Sequence, residues 1–406
     1  MSILDEPLGR IEMNLLIDEK LKQAAGLLEE GDADLWLTLV RESSRTHDPI
    51  LDYIFEGHVV WPSAFMVTRS REAFAIVGSL DALSVESLGT YKVIPYVQSF
   101  RESFLPFLEK LGPKKILINY SSETATADGM THGMYLYLQE ILQGTPFRER
   151  LHSSQELIGS LIGRKSQEEV GRIQRAIDAT LGLFEEVTRL LKPGMTEKEV
   201  AAYLSQRIEE NRWKPAWDVE TCPAVFSGPQ KGGAHSSPTD KAIQRGEVVN
   251  IDFGLMIDGY VSDLQRSWYL LAPGEKEPPE GLKKAFRVLI DSVDLAVKAL
   301  KPGVKGVEID SLTRNHITSQ GYPEFPHALG HQVGRCAHDG VALLAPPWER
   351  YGNIPELTLE EGMVFTVEPR ISLPQWGVVT VEEIVKVTPQ GGVYLSKPQK
   401  ELILVG

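Results

Sequence analysis

Apolar residues recur at helical spacing from Ile11 to Glu30, and the pattern then shortens into compact apolar runs. "DLWLTLV" reads as a strand, "AFMVTRSREAFAIVG" as a hairpin, and "KVIPYV" and "KKILINY" as further short strands separated by helical segments. This alternation up to about residue 155 predicts an α/β domain, and it carries no grouping of chemically reactive side chains. Residues 156–165 are mixed in pattern and are expected to form a linker. From Ser166 the stretch "SQEEVGRIQRAIDATLGLFEEVTRLL" is strongly amphipathic, with Ser166 as the helix cap and Glu169 at the capping-box position. A second domain is expected over 166–406.

The second domain carries an internal repeat. Its first long helix ends in Lys192-Pro193-Gly194, and a second, "GLKKAFRVLIDSVDLAVKAL", ends in Lys301-Pro302-Gly303. Each is followed by another helical stretch and then by a strand of the same pattern, "GEVVNID" from Gly246 and "GMVFTVE" from Gly362. An acid closes both, Asp252 in one and Glu368 in the other. Matched features in matched order predict a pseudo-twofold unit with its site on the axis.

The segment "EVVNIDFGLMIDGYVSDLQRSWYL" reads as a hairpin turning at Asp258-Gly259. A tight turn there places Asp252 opposite Gln265 and Asp263 opposite Gly254. The two aspartates then share a face as diagonal neighbours, about 7–8 Å apart at Cα. Buried side by side they need a partner, a proton or a cation; on a solvated face they need none of these.

Composition narrows the classes. At 406 residues, with 42% hydrophobic and 24% charged content, the chain has the make-up of a folded protein large enough for two domains. Its 42 basic residues against 56 acidic ones leave a net charge of −14, which argues against nucleic acid or an anionic membrane as partner and favours a small molecule or peptide. The opening "MSILDEPLGRIEMN" is acidic where a secretory signal is basic, and no run approaches 18 apolar residues. Cys222 and Cys336 are too few for a disulfide framework. A cytoplasmic location is expected.

Further hard ligands lie downstream: His327, His331 and His338 in "FPHALGHQVGRCAHDG", and Glu368, Glu382 and Glu383 in "TVEPRISLPQWGVVTVEEIVKV". Gly330 and Gly334 argue for a strand and loop rather than a histidine pair on a helix. A carboxylate-rich set with imidazole suits manganese, cobalt or zinc, and several carboxylates can bridge two ions.

Taken in order, the acids and histidine of "IDFG", "VSDLQRS", "LGHQVG", "TVEP" and "TVEE" resemble the ligand motifs of the pita-bread metallopeptidases, the group containing prolidase, aminopeptidase P, methionine aminopeptidase and creatinase. Length and layout are most similar to the prolidase and aminopeptidase P branch. The resemblance implies a creatinase-like α/β domain followed by a pseudo-twofold α+β catalytic domain. It also implies metal ligands Asp252, Asp263, His331, Glu368 and Glu382, with Glu383 left out, holding two divalent ions, Mn2+ foremost and Co2+ or Zn2+ as alternatives. His235, in "SGPQKGGAHSSPTD", and His338 would contact substrate, and Glu368 would also shuttle protons; the role of His327 would be mainly local. A homodimer acting on proline-containing dipeptides or short peptides is expected.

The chain departs from that branch at two helper positions. "EPRIS" stands where "EPGIY" is usual, and "VVTVEE" stands where "GVRIED" is usual, so Ser372 replaces a tyrosine and Thr380 an arginine. Arg370, in place of glycine, is a candidate replacement for the lost positive charge. Arg350, with Arg335 as rival, is a candidate for binding a substrate carboxylate. The leading expectation is an Xaa-Pro dipeptidase, followed by an Xaa-Pro aminopeptidase for longer peptides. The intact ligand set argues against a metal-free creatinase-like hydrolase and against a non-catalytic peptide-binding module.

Overall fold

The computed structural model describes residues 6–229 and 237–406, with side chains from residue 15 onward. The chain divides into two compact units at Ile162/Gly163.

In the first unit the apolar runs form a six-stranded mixed sheet. Its order is Lys92–Tyr96, Ala73–Gly78, Ser63–Thr68, Leu35–Val40, Ile116–Ile118 and Leu151–Ser153. The expected hairpin pairs Ser63–Thr68 antiparallel with Ala73–Gly78. Alternation sends successive residues of each strand to opposite faces. Leu35, Leu37 and Leu39 pack with Phe100, Phe104 and Leu108 on one face, while Trp36 and Val40 join Leu21, Leu28 and Ile158 on the other. The stretch expected to be a linker is instead a helix, Gln155–Gly163. Leu157, Ile158, Leu161 and Ile162 repeat at helical spacing, and burying that stripe in the first unit's core is what holds the segment in a helix. Lys20 Nζ donates to Leu161 O at 2.7 Å, placing a cation at its carbonyl end.

The second unit opens with the helix Gln167–Leu190, closed by the anticipated capping box: Ser166 Oγ accepts from Glu169 N, and Glu169 accepts from Ser166 N. The internal repeat is present in three dimensions. After the helix Gln167–Leu190 and after Glu280–Ala299, a Pro-Gly pair turns the chain with glycine in the left-handed region, Gly194 at φ 93° and Gly303 at φ 85°. Gly194 N then donates to Ile243 O and Gly303 N to Leu359 O, and the helices Glu197–Asn211 and Gly306–Ser319 follow. The two repeats deliver the strands Val248–Phe253 and Val364–Val367. Val248–Phe253 pairs with Leu264–Leu270 and Ala224–Ser227, and Val364–Val367 pairs with Glu383–Thr388. Among the described residues no helix is long and apolar enough to cross a membrane.

Candidate active site

The hairpin has the anticipated register. Asp252 lies opposite Gln265, Ile257 opposite Tyr260, and the turn residues Asp258 and Gly259 both take positive φ. Between the two strand pairs the backbones nearly touch: a Cβ on Gly254 would sit 2.0 Å from Ser262 O. That approach requires glycine and leaves Asp252 and Asp263 both 5% exposed. In the second repeat Val367 pairs with Glu383, so the next rung brings Glu368 towards Glu382. There the ladder opens to other partners, Glu368 N donating to Leu329 O and Glu382 N to Gln265 O. Strand alternation separates the neighbouring glutamates. Glu383 turns away into an ion pair with Arg266 at 3.0 Å and accepts from Ser396 Oγ and Gln399 N.

His331 comes from a short strand, Gly330–His331, paired with Leu343–Leu344 rather than from a helix. Its Nε2 lies 3.4 Å from Glu368 Oε1, 3.7 Å from Asp263 Oδ2 and 3.9 Å from Glu382 Oε1. Nδ1 sits 3.2 Å from Gln332 O. A carbonyl accepts only, so Nδ1 carries a proton and Nε2 is the nitrogen turned towards the acids. One donor atom from each of Asp263, His331 and Glu382 lies within 4.8 Å of the others. Gln265 completes the wall, donating to Glu382 Oε2 at 2.9 Å and Glu368 Oε2 at 3.4 Å.

The electrostatics of this cluster are those of a cation site. Burial pushes the carboxyls of Asp252, Asp263 and Glu368 well up, and neighbouring carboxylates push them further. Burial raises Glu382 to about 7 against the opposing pull of Gln265. Asp252 Oδ1 is buried with no hydrogen-bond partner. Four acids and one imidazole therefore fit divalent ions with a preference for oxygen and some nitrogen, the manganese, cobalt and zinc class.

Beside the cluster opens a cavity of about 450 Å³, with His331, His338, Glu368 and Arg370 in its wall and Phe226 and Val378 among its apolar lining. The His331 and His338 rings stand edge to face at 4.3 Å. A model of metallopeptidase family M24 matches residues 171–389. The chain belongs to metallopeptidase family M24. It is 34% identical to an Xaa-Pro dipeptidase of Pyrococcus furiosus over 87% of this chain and 93% of that one. It is 35% identical to an Xaa-Pro dipeptidase of Pyrococcus horikoshii over 59% of this chain and 64% of that one. Its fold superimposes on an Xaa-Pro dipeptidase from Bacillus anthracis with a TM-score of 0.70 at 25% identity, covering 96% of this chain and all of that one. The expected family and two-unit pita-bread fold hold.

Not every residue singled out from the M24 motifs meets at this site. His235 lies outside the described residues. Arg350 is exposed and is not in the cavity wall: its guanidinium donates to Pro326 O and the Tyr351 hydroxyl and stacks over the Trp348 and Tyr351 rings. Its rival Arg335 lies over the Tyr260 ring, also outside the wall. The Trp348 and Tyr351 rings hold the Arg350 side chain at the rim, against the wall residues Pro326 and Tyr351. His327 lines the cavity and holds Ala328 O through Nδ1 at 2.8 Å. Ser372 is exposed on the strand Arg370–Leu373, on the same strand face as Arg370 and opposite Val378, without itself lining the cavity. Sequence reasoning missed Gln265 and Arg266. The signal for Gln265 was its place opposite Asp252; Arg266 braces the glutamates by donating to Glu382 O and pairing with Glu383.

Proposed function

We propose that this chain is an Xaa-Pro dipeptidase: a hydrolase that cleaves the bond before proline, with Asp252, Asp263, His331, Glu368 and Glu382 holding two divalent ions, manganese first among the candidates. The observation that carries the reading is the convergence of four buried carboxyls and one imidazole nitrogen beside a peptide-sized cavity. The activity named for the relatives supports it. The reading includes a cytoplasmic homodimer, on the family resemblance and on two cysteines that are both free thiols.

Bound ions supply an activated water and polarise the scissile carbonyl. The chain's own residues do the rest. Glu368 is the one acid of the four in the cavity wall, so it takes the proton from the attacking water and passes it to the proline nitrogen as the bond breaks. His338, exposed at the cavity, donates to the carbonyl oxygen as charge develops, a contribution of about 2.7–4 kcal/mol for a well-placed donor. By the family resemblance His235, outside the described residues, would be a second such donor. Phe226 and Val378 give the proline ring apolar surface.

The test is product analysis by mass spectrometry after incubating chelator-stripped, manganese-reconstituted protein with Ala-Pro and Ala-Pro-Ala in parallel. Cleavage of Ala-Pro, absent without metal, is expected. Cleavage of Ala-Pro-Ala alone would replace the dipeptidase reading with an aminopeptidase.

A further inference from the structure

Lys165 and Asp339 form a buried ion pair that the mechanism above does not use. Their side chains are 0% and 3% exposed, and Lys165 Nζ donates to Asp339 Oδ2 at 2.6 Å. Neither residue is in the cavity wall, but Asp339 directly follows His338, which is. Taking two charges out of water costs about as much as their attraction returns, so an apolar pair of similar size serves stability as well. What a charged pair adds is direction.

The surroundings show what is directed. The same Asp339 oxygen accepts from Arg335 N at 3.1 Å, and Asp339 N donates to Gln332 O at 3.0 Å, which closes the loop 334–339. Cys336 Sγ donates to His338 O across it at 3.3 Å. A Cβ on Gly334 would lie 1.8 Å from Asp339 Oδ2 and 2.4 Å from Lys165 Nζ, so the loop is wrapped on the pair itself. Lys165 N donates to Gly362 O and Val333 N to Val364 O, so the lysine and the start of the loop both rest on the segment 362–367, which runs straight into Glu368. With Asp339 drawn inward, its neighbour His338 is left exposed, its ring edge to face with His331 at 4.3 Å.

We propose that Lys165 and Asp339 are positioning residues: touching no substrate themselves, they hold the loop 334–339 so that the His338 imidazole meets the scissile carbonyl. This deepens the dipeptidase reading and rests on the role of His338 within it.

The test exchanges the pair for Lys165→Met with Asp339→Leu, in the wild type and on His338→Ala. The apolar pair is expected to leave the urea midpoint close to that of the wild type. It should nevertheless lower kcat/KM of the manganese-loaded protein on Ala-Pro by about tenfold to a hundredfold, as displacement of a catalytic group does. On His338→Ala the same exchange should cost less than about twofold, because the imidazole it positions is gone. A second readout needs neither metal nor turnover. In metal-free protein carrying isotope-labelled histidine, the His338 ring signal, assigned by its loss in His338→Ala, should shift when the pair is exchanged. Asp339→Asn, which leaves an oxygen for Lys165 and Arg335 N, should fall between wild type and the apolar pair in both readouts. Wild-type kcat/KM with an unshifted ring signal in the apolar-pair variant, or an equal loss on His338→Ala, would overturn the inference alone. Undiminished kcat/KM in His338→Ala would sink the role given to His338 and the inference with it. Failure of the wild type to cleave Ala-Pro would sink the dipeptidase reading, and the ring signal would then decide by itself whether the pair positions the imidazole.

Discussion

Two buried polar clusters, one in each unit, differ in how fully the protein itself satisfies them. In the first unit Asn119 sits at the centre of a complete network. Its Oδ1 accepts from Trp36 Nε1 and Ser154 Oγ, and its Nδ2 donates to Thr38 Oγ1 and to Asp48 Oδ2; Asp48 Oδ1 accepts from Ile50 N. Every donor and acceptor of Asn119 is used. In the second unit the acids outnumber their partners, Asp252 Oδ1 has none, and the carboxyls repel one another. A buried acid whose bonds are all made by the protein holds the fold together. Buried acids left short of partners mark where something else binds.

The widest separation between the clusters should come from Glu382→Gln. It should lower kcat/KM on Ala-Pro by about a thousandfold or more. The metal-free protein should unfold at the same temperature or higher, because an acid has been removed from a group of like charges. A chelator should lower the melting temperature of the wild type and leave the variant unmoved. Asn119→Ala should do the reverse, costing about 3 kcal/mol in urea denaturation by stranding several buried groups while sparing kcat.

A smaller effect separates the clusters by pH. Burial raises Asp48 from 3.8 to about 6 in the folded state. The folded chain therefore holds that proton more tightly than the unfolded chain, so the contribution of Asp48 to stability is greatest below about pH 4. It falls as the pH rises towards about 6, by on the order of 2 kcal/mol. The difference in stability between wild type and Asp48→Asn, followed by denaturation from pH 4 to pH 7, should show that slope. A flat difference would mean the network keeps Asp48 ionised. The smallest change is expected from Gln265→Ala, about a tenfold loss of kcat/KM, since it removes a group that orients two glutamates rather than a ligand.

The internal repeat shows how far the sequence could be read. Gly194 with Gly303, and Asp252 with Glu368, announced two copies of one unit, and the backbone follows that pattern through its matched turn bonds. The copies part where the site needs them to. Asp252 faces Gln265 across its ladder, whereas the corresponding rung in the second copy brings Glu368 to Glu382. Two rungs' worth of side chains thus differ within one scaffold, and the motif order carried that difference plainly. The helix Gln155–Gly163 was not legible, because its apolar residues are helical in spacing yet short, and only the first unit's core gives them somewhere to go.

By itself, the sequence determined which acids and histidine are offered to the site and the local geometry that presents them. A two-residue turn fixes a hairpin's register, strand alternation then settles which carboxyls share a face, and these are short-range rules that adjacent residues suffice to apply. Tertiary structure alone decided which arginine reaches the cavity. Arg350 and Arg370 carry the same charge in the same stretch of chain, but Trp348 and Tyr351 hold the first by stacking, while the second stands opposite a threonine too short to fill the wall. Where a long, flexible side chain ends up depends on the space and partners around it, and those come from residues far apart in sequence.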